Sequence, residues 1–412
     1  MMRRNLQVAV ILAFSALAAT SSADEFHYNN ILIGDRASGM GGAYTAISDD
    51  PGGMYYNPAG IAYSTGKNLS ASVNAYSVSN RTYKAAFGGQ DWTRTSATLL
   101  PNYFGIIQPI GKFKLGFSYA VPDSNQEDQD QKFTFAGSTV TSVINFNNQN
   151  DTNLFGPSAA LQLNDSFSIG STLYIHKRST EAIFNGSNLN DIGSAVGEGT
   201  LVSWSNSYTE TDEWGVKPIL GVMWSPIDKL SFGLTVAKTV ILTSDILKQE
   251  TNTANNPART YEKYDYKRVY PYQVTAGAAF FPNSSLLISG DLSYYSAFDY
   301  NWLNGVEVRT AVLNGAVGAE YYINKNWAVR GGLFSDIANT PSVEEGFINQ
   351  REHIDMYGGS LTVSHFTKNT SISFGGSYKF GNGKTQLYKD NPSIQDVSAN
   401  NWTMFVSSSY SY

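Results

Sequence analysis

Residues 113–121 read Phe-Lys-Leu-Gly-Phe-Ser-Tyr-Ala-Val. Phe113, Leu115, Phe117, Tyr119 and Val121 alternate with Lys114, Gly116, Ser118 and Ala120, the period of two that sends successive side chains to opposite faces of a strand. One face is apolar and aromatic; the other is small or polar. The pattern recurs. Phe167, Ile169, Leu173 and Ile175 alternate with Ser168, Gly170, Thr172, Tyr174 and His176. Ile372, Phe374, Tyr378 and Phe380 alternate with Ser373, Gly375, Ser377 and Lys379. In a transmembrane barrel, strands of about 10 residues turn apolar side chains to lipid and polar ones to the lumen.

Turn residues divide the chain at two spacings. Tight turns fall at Ile110-Gly111, Asn164-Asp165, Pro226 to Asp228, Pro282 to Ser284, Asn324-Lys325 and Lys368-Asn369, where Asn, Asp, Gly and Pro supply the backbone angles a turn needs. Between them lie longer polar stretches near 83–96, 122–151, 179–213, 244–265, 298–305, 337–352 and 382–398. Short turns on one side and long loops on the other are the arrangement of outer-membrane barrels. The expected strands are 67–82, 97–110, 112–121, 152–163, 166–178, 214–225, 229–243, 266–281, 285–297, 306–323, 326–336, 353–367, 370–381 and 399–412. That makes fourteen, an even number with both chain ends on the short-turn side. A soluble propeller would repeat every 40–50 residues or so, and no such repeat is present. Prolines at 101, 157, 218 and 271 fall inside these windows; each removes a ladder bond and marks a place for a kink or a gap in the wall.

Composition agrees. Aromatic residues make up 13% of the chain and charged residues 15%, against about 25% charged in soluble domains. Arg3 and Arg4, the apolar run Val8–Ala19 and the small residues before Asp24 predict a secretory signal at residues 1–23. Its removal takes two of the 28 basic and none of the 34 acidic residues, leaving a net charge of −8. Nucleic acid, which needs a basic face, is excluded as a partner. No cysteine is present, which excludes a disulfide scaffold and thiol chemistry. The final strand, with Trp402, Met404, Val406, Tyr410 and Tyr412 on one face, resembles the terminal signal by which barrels are recognised for insertion.

The stretch Gly34–Ala62, GDRASGMGGAYTAISDDPGGMYYNPAGIA, does not alternate. Its glycines permit tight folding and close backbone approach, so residues 24–66 are expected to form a plug and 67–412 the barrel. Lysine is absent at phosphate-loop spacing, which excludes a nucleotide site. Pro58 fixes its own φ and pushes Asn57 into an extended conformation. The small-residue run, the acidic pair Asp49-Asp50, the aromatics and Asn57-Pro58-Ala59-Gly60 together resemble the N-terminal hatch of the long-chain fatty-acid transporter family of bacterial outer membranes. The resemblance covers about thirty residues. It implies an all-β, fourteen-stranded transmembrane barrel with its lumen plugged. It also implies a hydrophobic ligand, a fatty acid or an aromatic hydrocarbon, caught by the outer loops, held above the hatch and released sideways through the wall. Outer-membrane lipid and lipopolysaccharide would surround the barrel, which closes its own edges and needs no partner chain.

Lys114, His176, Asp291, Glu320, Arg330 and Lys379 are expected to face the lumen. Glu320 and Arg330 flank one tight turn and should meet across neighbouring strands. Asp49 and Asp50 are candidates to pair with Lys114, Arg330 or Lys379. The histidines His27, His176, His353 and His365 lack metal-ligand spacing, and the acidic run 127–130 lacks that of a calcium loop. No nucleophile motif surrounds His176, so no catalytic residue and no cofactor is expected. Passive uptake of hydrophobic compounds, most directly long-chain fatty acids, is the expected function. An outer-membrane component of a protein secretion system and a general diffusion porin are the alternatives. Apolar residues in the long loops, Val143, Ile144, Phe146, Ala182, Ile183 and Phe184, would favour uptake.

Overall fold

The computed structural model describes residues 26–134, 140–191, 200–253, 260–303, 305–388 and 390–411. The expected signal, residues 1–23, lies outside them. In chain order the strands are β1 (Asn68–Phe87), β2 (Gln90–Ile110), β3 (Phe113–Thr134), β4 (Val140–Asn164), β5 (Phe167–Asp191), β6 (Thr200–Ile227), β7 (Leu230–Lys238), β8 (Val240–Asn252), β9 (Thr260–Tyr264), β10 (Tyr272–Asn283), β11 (Leu286–Tyr295), β12 (Phe298–Trp302), β13 (Gly305–Arg309), β14 (Val312–Asn324), β15 (Trp327–Asp336), β16 (His353–Phe366), β17 (Thr370–Thr385) and β18 (Gln395–Ser411).

Fourteen of them form one closed antiparallel barrel. The sheet runs β5-β4-β3-β2-β1-β18-β17-β16-β15-β14-β11-β10-β7-β6, and β6 pairs back onto β5. The chain ends meet where β1 pairs with β18, from Asn68↔Ser411 to Tyr83↔Val397. β8 continues the line of β7 beyond Thr239, pairs with β6 and carries β9 at its edge. β12 and β13 form a separate hairpin.

The alternation of the sequence sets the two faces. Phe113, Leu115, Phe117, Ile169, Leu173, Ile372, Phe374, Trp402 and Met404 are exposed on the outside, while Ser118, Ser168, Thr172, His176 and Ser373 are buried inside. An apolar outside and a polar inside are what lipid and lumen each demand. Gly111 turns the β2–β3 hairpin in the left-handed region, at φ 60°.

Expectations about loops and strand windows are corrected here. The stretches 122–151 and 179–213 are predicted as loops, yet their described residues lie in strands. The β3–β4 ladder runs out to Thr134↔Thr141, β4–β5 to Val140↔Asn190 and β5–β6 to Asp191↔Thr200. Strand windows set by bilayer thickness stop where the outer face turns polar, but a ladder standing in water needs no apolar outside. Its inner face has a core of its own, built from Phe87, Trp92, Phe133, Ile144, Phe146 and Phe184 with Met356 and Val397. Ile144, Phe146 and Phe184 are therefore packed away, not presented to incoming ligand. The window 266–281 is likewise strand only from Tyr272.

Candidate functional site

Residues 26–66 precede β1 and fold inside the barrel. They form α1 (Asp35–Gly39), α2 (Gly53–Tyr56) and a 3₁₀ helix (Pro58–Tyr63). Such short helices have little stability of their own, so contacts with the wall hold them. Asn57 is extended, at φ −150° and ψ 100°, as a residue before proline should be. Its Nδ2 donates to the Thr45 carbonyl at 2.8 Å and the Val222 carbonyl at 3.0 Å. Its Oδ1 accepts from the Ala59 amide at 3.1 Å. One amide thus caps the 3₁₀ helix, braces the plug and ties it to β6. Pro58 follows at the first helical position, where no N–H is needed. Ser168 donates to the Ala59 carbonyl at 2.9 Å, and Thr172 to the Met54 carbonyl at 2.8 Å. Asn57→Leu strands these buried partners at about 1–3 kcal/mol for each unsatisfied group. The expected result is faster proteolysis within 26–66 in the detergent-solubilised barrel.

The six lumen candidates all meet the plug or the space above it. Glu320 and Arg330 are directly paired across β14 and β15, with Nε to Oε1 at 2.7 Å. Arg36 of α1 completes the set, its Nε donating to Glu320 Oε2 at 2.9 Å and its Nη1 to Asp49 at 2.7 Å. Asp35 lies 3.6 Å from Arg330 and accepts from Ser373 at 2.9 Å. Asp291 accepts the amides of Tyr44 and Thr45 at 2.9 and 2.8 Å. Lys114 donates to the Ser64 carbonyl at 2.8 Å. Lys379 pairs with Asp336 at 2.8 Å, and Asp336 in turn accepts the amides of Tyr28 and Asn29. The expected pairing of Asp49 and Asp50 with Lys114, Arg330 or Lys379 is corrected. Asp49 binds Arg36 within the plug, and Asp50 accepts from Gly52 at 2.7 Å to close its own turn. The plug carries its own cation, so the wall cations serve other carboxylates and carbonyls.

Inward-facing glycines line the seat of the plug. The missing side chain of Gly170 admits the Pro58–Ala59 backbone, and that of Gly221 admits the Asn57 amide. Gly233 and Gly277 admit Thr45–Ala46, and Gly318 and Gly332 admit Met40. A Cβ at any of these would overlap plug atoms.

Above the plug lies a cavity of about 200 Å³. Tyr28, Tyr55, Tyr56, Tyr270, Tyr295 and Tyr300 wall it. Tyr28 and Tyr295 stack with centroids 4.1 Å apart, and Tyr55 meets Tyr56 edge-on at 5.2 Å. His176 lines the same space, buried edge-on against Tyr270, its Nε2 without a hydrogen-bond partner among the described residues. Arg178, Lys217, Arg268 and Arg309 add positive charge. Glu213 lies 3.4 Å from Arg268, and Glu307 lies 3.0 Å from Arg309. Lys217 has no carboxylate or hydrogen-bond partner among the described residues; its ammonium lies 5.3 Å from the Tyr55 ring centroid. The β12–β13 hairpin borders the cavity through Phe298, Tyr300 and Arg309.

The wall is split beside this cavity. Between the pairs Ser96↔Glu127 and Tyr103↔Ala120, β2 and β3 have no paired residues. Pro101 stands on one side of the split and Pro122, in a bulge of β3 against β4, on the other. Plug residues span it from inside. The Ile31 amide donates to the Pro122 carbonyl at 3.2 Å, and Asn102 of β2 donates to the Leu32 carbonyl at 3.0 Å.

Sequence reasoning missed Arg36, Asp35, Asp336, Lys217, the tyrosine walls and the seat glycines. Only the glycines carry a sequence signal, since glycine on the inward face of a strand marks close backbone approach.

A family model described as outer membrane protein transport protein (OMPP1/FadL/TodX) matches residues 14–280. Among solved structures, the chain is similar to a Pseudomonas aeruginosa FadL homologue, with a TM-score of 0.69 at 15% identity over 93% of this chain and 99% of the other. The P. putida toluene transporter TodX gives 0.63 at 12%, and the Ralstonia pickettii toluene transporter TbuX 0.58 at 16%, each over 93% of this chain and 99% of the other. At these identities the likeness establishes the fold. No curated protein matches the chain.

Proposed function

The chain belongs to the outer membrane protein transport family (OMPP1/FadL/TodX), and on that premise we propose that it takes up hydrophobic compounds bearing a carboxylate, long-chain fatty acids among them, through its plugged barrel. It is a multi-pass barrel of the bacterial outer membrane, and its family consists of channels rather than enzymes. The observation that carries the reading is the cavity above the plug, where Lys217 stands among tyrosine rings with no carboxylate partner among the described residues. A half-buried cation in an enclosed cavity keeps only part of its hydration and gains when an anion meets it, and an entering carboxylate supplies one. A neutral hydrocarbon would fill the space and leave the charge unmet. The split between β2 and β3 gives the ligand a way into the membrane once Ile31 and Leu32 move aside. The outer ladder of β3–β6 raises the mouth, and lipid and lipopolysaccharide cover the apolar belt. The barrel works as a monomer, because its edges are closed.

The test is equilibrium binding to the purified barrel in detergent, with oleate as ligand and a sugar and toluene as comparators. Saturable oleate binding and no sugar binding is the expected outcome. Absence of saturable binding by every apolar ligand would overturn the reading in favour of a secretion-system role.

A further inference from the structure

We propose that the cavity above the plug is built for a single-ring aromatic acid, its ring among the tyrosines and its carboxylate on Lys217. This rests on the uptake reading and narrows it. Size is the first reason. A cavity of about 150 Å³ is enough for benzene, and the cavity here holds about 200 Å³. That leaves room for one ring and a short acid side chain. A long-chain fatty acid, with roughly three times the heavy atoms of benzene, would place only its carboxylate end there and leave most of its chain outside.

The walls are the second reason. The stacked pair Tyr28–Tyr295 and the edge-on pair Tyr55–Tyr56 offer flat faces and edges. Rings pack against rings in these offset and edge-on geometries, whereas a flexible alkyl chain gains nothing specific from them. The hydroxyl groups make this a poor lining for a purely hydrocarbon solute.

Charge is the third. Lys217 lies beside Tyr55, so a ring packed on the Tyr55–Tyr56 side brings a substituent within reach of the ammonium. His176, 2% exposed, presents to the same space an Nε2 with no hydrogen-bond partner among the described residues. A carboxylate, with two oxygens, can accept from Lys217 and from a His176 tautomer that carries its proton on Nε2. Buried His176 and half-buried Lys217, neither with a hydrogen-bond partner among the described residues at these atoms, thus face a cavity whose walls suit an aromatic ring.

The experiment is calorimetric titration of the purified barrel with trans-cinnamate, toluene and oleate, for the parent, Lys217→Met and Lys217→Arg. Heat-modifiable migration on gels confirms that each variant is a folded barrel. The parent is expected to bind cinnamate saturably and at least about tenfold more tightly than toluene, as a charge-assisted hydrogen bond allows. Lys217→Met should lower the cinnamate-to-toluene affinity ratio by about tenfold, and Lys217→Arg should restore most of it. Saturable oleate binding without cinnamate binding would overturn the aromatic-acid assignment and leave uptake standing. So would toluene binding as tight as that of cinnamate, or an unchanged ratio in Lys217→Met. Failure of all three ligands to bind the parent would overturn both.

Discussion

Glu320→Ala is expected to unseat the plug. Glu320 is fully buried and receives Arg36 from the plug on one oxygen and Arg330 from the wall on the other. Truncating it leaves two guanidinium groups facing each other in the lumen with Asp35 and Asp49 as their remaining carboxylates among the described residues. Removing one partner of a buried ion pair costs about 3–5 kcal/mol, because the remaining charge is uncompensated. The cheapest relief is to move α1 out toward water, since Arg36 belongs to a five-residue helix held by side-chain contacts and Arg330 to a strand of the closed wall. In planar bilayers the variant should pass a much larger ion current than the parent. Replacing the whole set, Glu320→Met with Arg36→Met and Arg330→Met, removes the unpaired charge and should return the current toward the parental level. An unchanged current in Glu320→Ala would mean that other contacts hold the plug.

The second large effect sits two strand positions from Arg330. Gly331 and Gly332 are neighbours on β15 and point opposite ways. A Cβ on Gly331 meets nothing nearer than 3.8 Å, whereas one on Gly332 would overlap the Met40–Gly41 backbone. Gly331→Ala should be neutral or slightly stabilising, since glycine weakens a strand interior. Gly332→Ala has no flexible side chain to push aside, only plug backbone. Overpacking of this kind typically costs about 1–3 kcal/mol. The pair makes an internally controlled comparison. Thermal unfolding of the detergent-solubilised barrel, with ion current as a second readout, should separate Gly332→Ala from both Gly331→Ala and the parent. Equal behaviour of the two variants would show that Met40 does not rest against β15 in the working protein.

The parts of the molecule differ in how far they are legible in the chain. The membrane ring was legible because lipid and lumen impose opposite demands on alternate residues, as in Phe113–Val121 and Ile372–Phe380. The Glu320–Arg330 pair was legible because both residues flank the turn at Asn324-Lys325. The partners of Asp49 were not, since Arg36 reaches back across a fold that glycines make possible in many shapes. The outer ladder at 122–151 and 179–213 is not legible as strand, because bilayer thickness limits only the stretch with an apolar outside. Its inner residues, such as Phe146 and Phe184, pack on one another without help from a membrane. The cavity was invisible for a simpler reason. Tyr28, Tyr55, Tyr295 and Lys217 come from distant segments, and nothing in their spacing brings them together.

The glycine seat also acts as a gauge of strand register. On β15 the inward positions run Ala328, Arg330, Gly332, Phe334 and Asp336, so a slip of two residues against the plug would set Arg330 or Phe334 where Met40 must lie. A slip of one would turn the whole inner face to lipid. Six glycines, on β5, β6, β7, β10, β14 and β15, must be aligned before the plug can settle. A barrel closed in the wrong shear would therefore remain open to ions, and the seated plug certifies that the cylinder around it was assembled correctly.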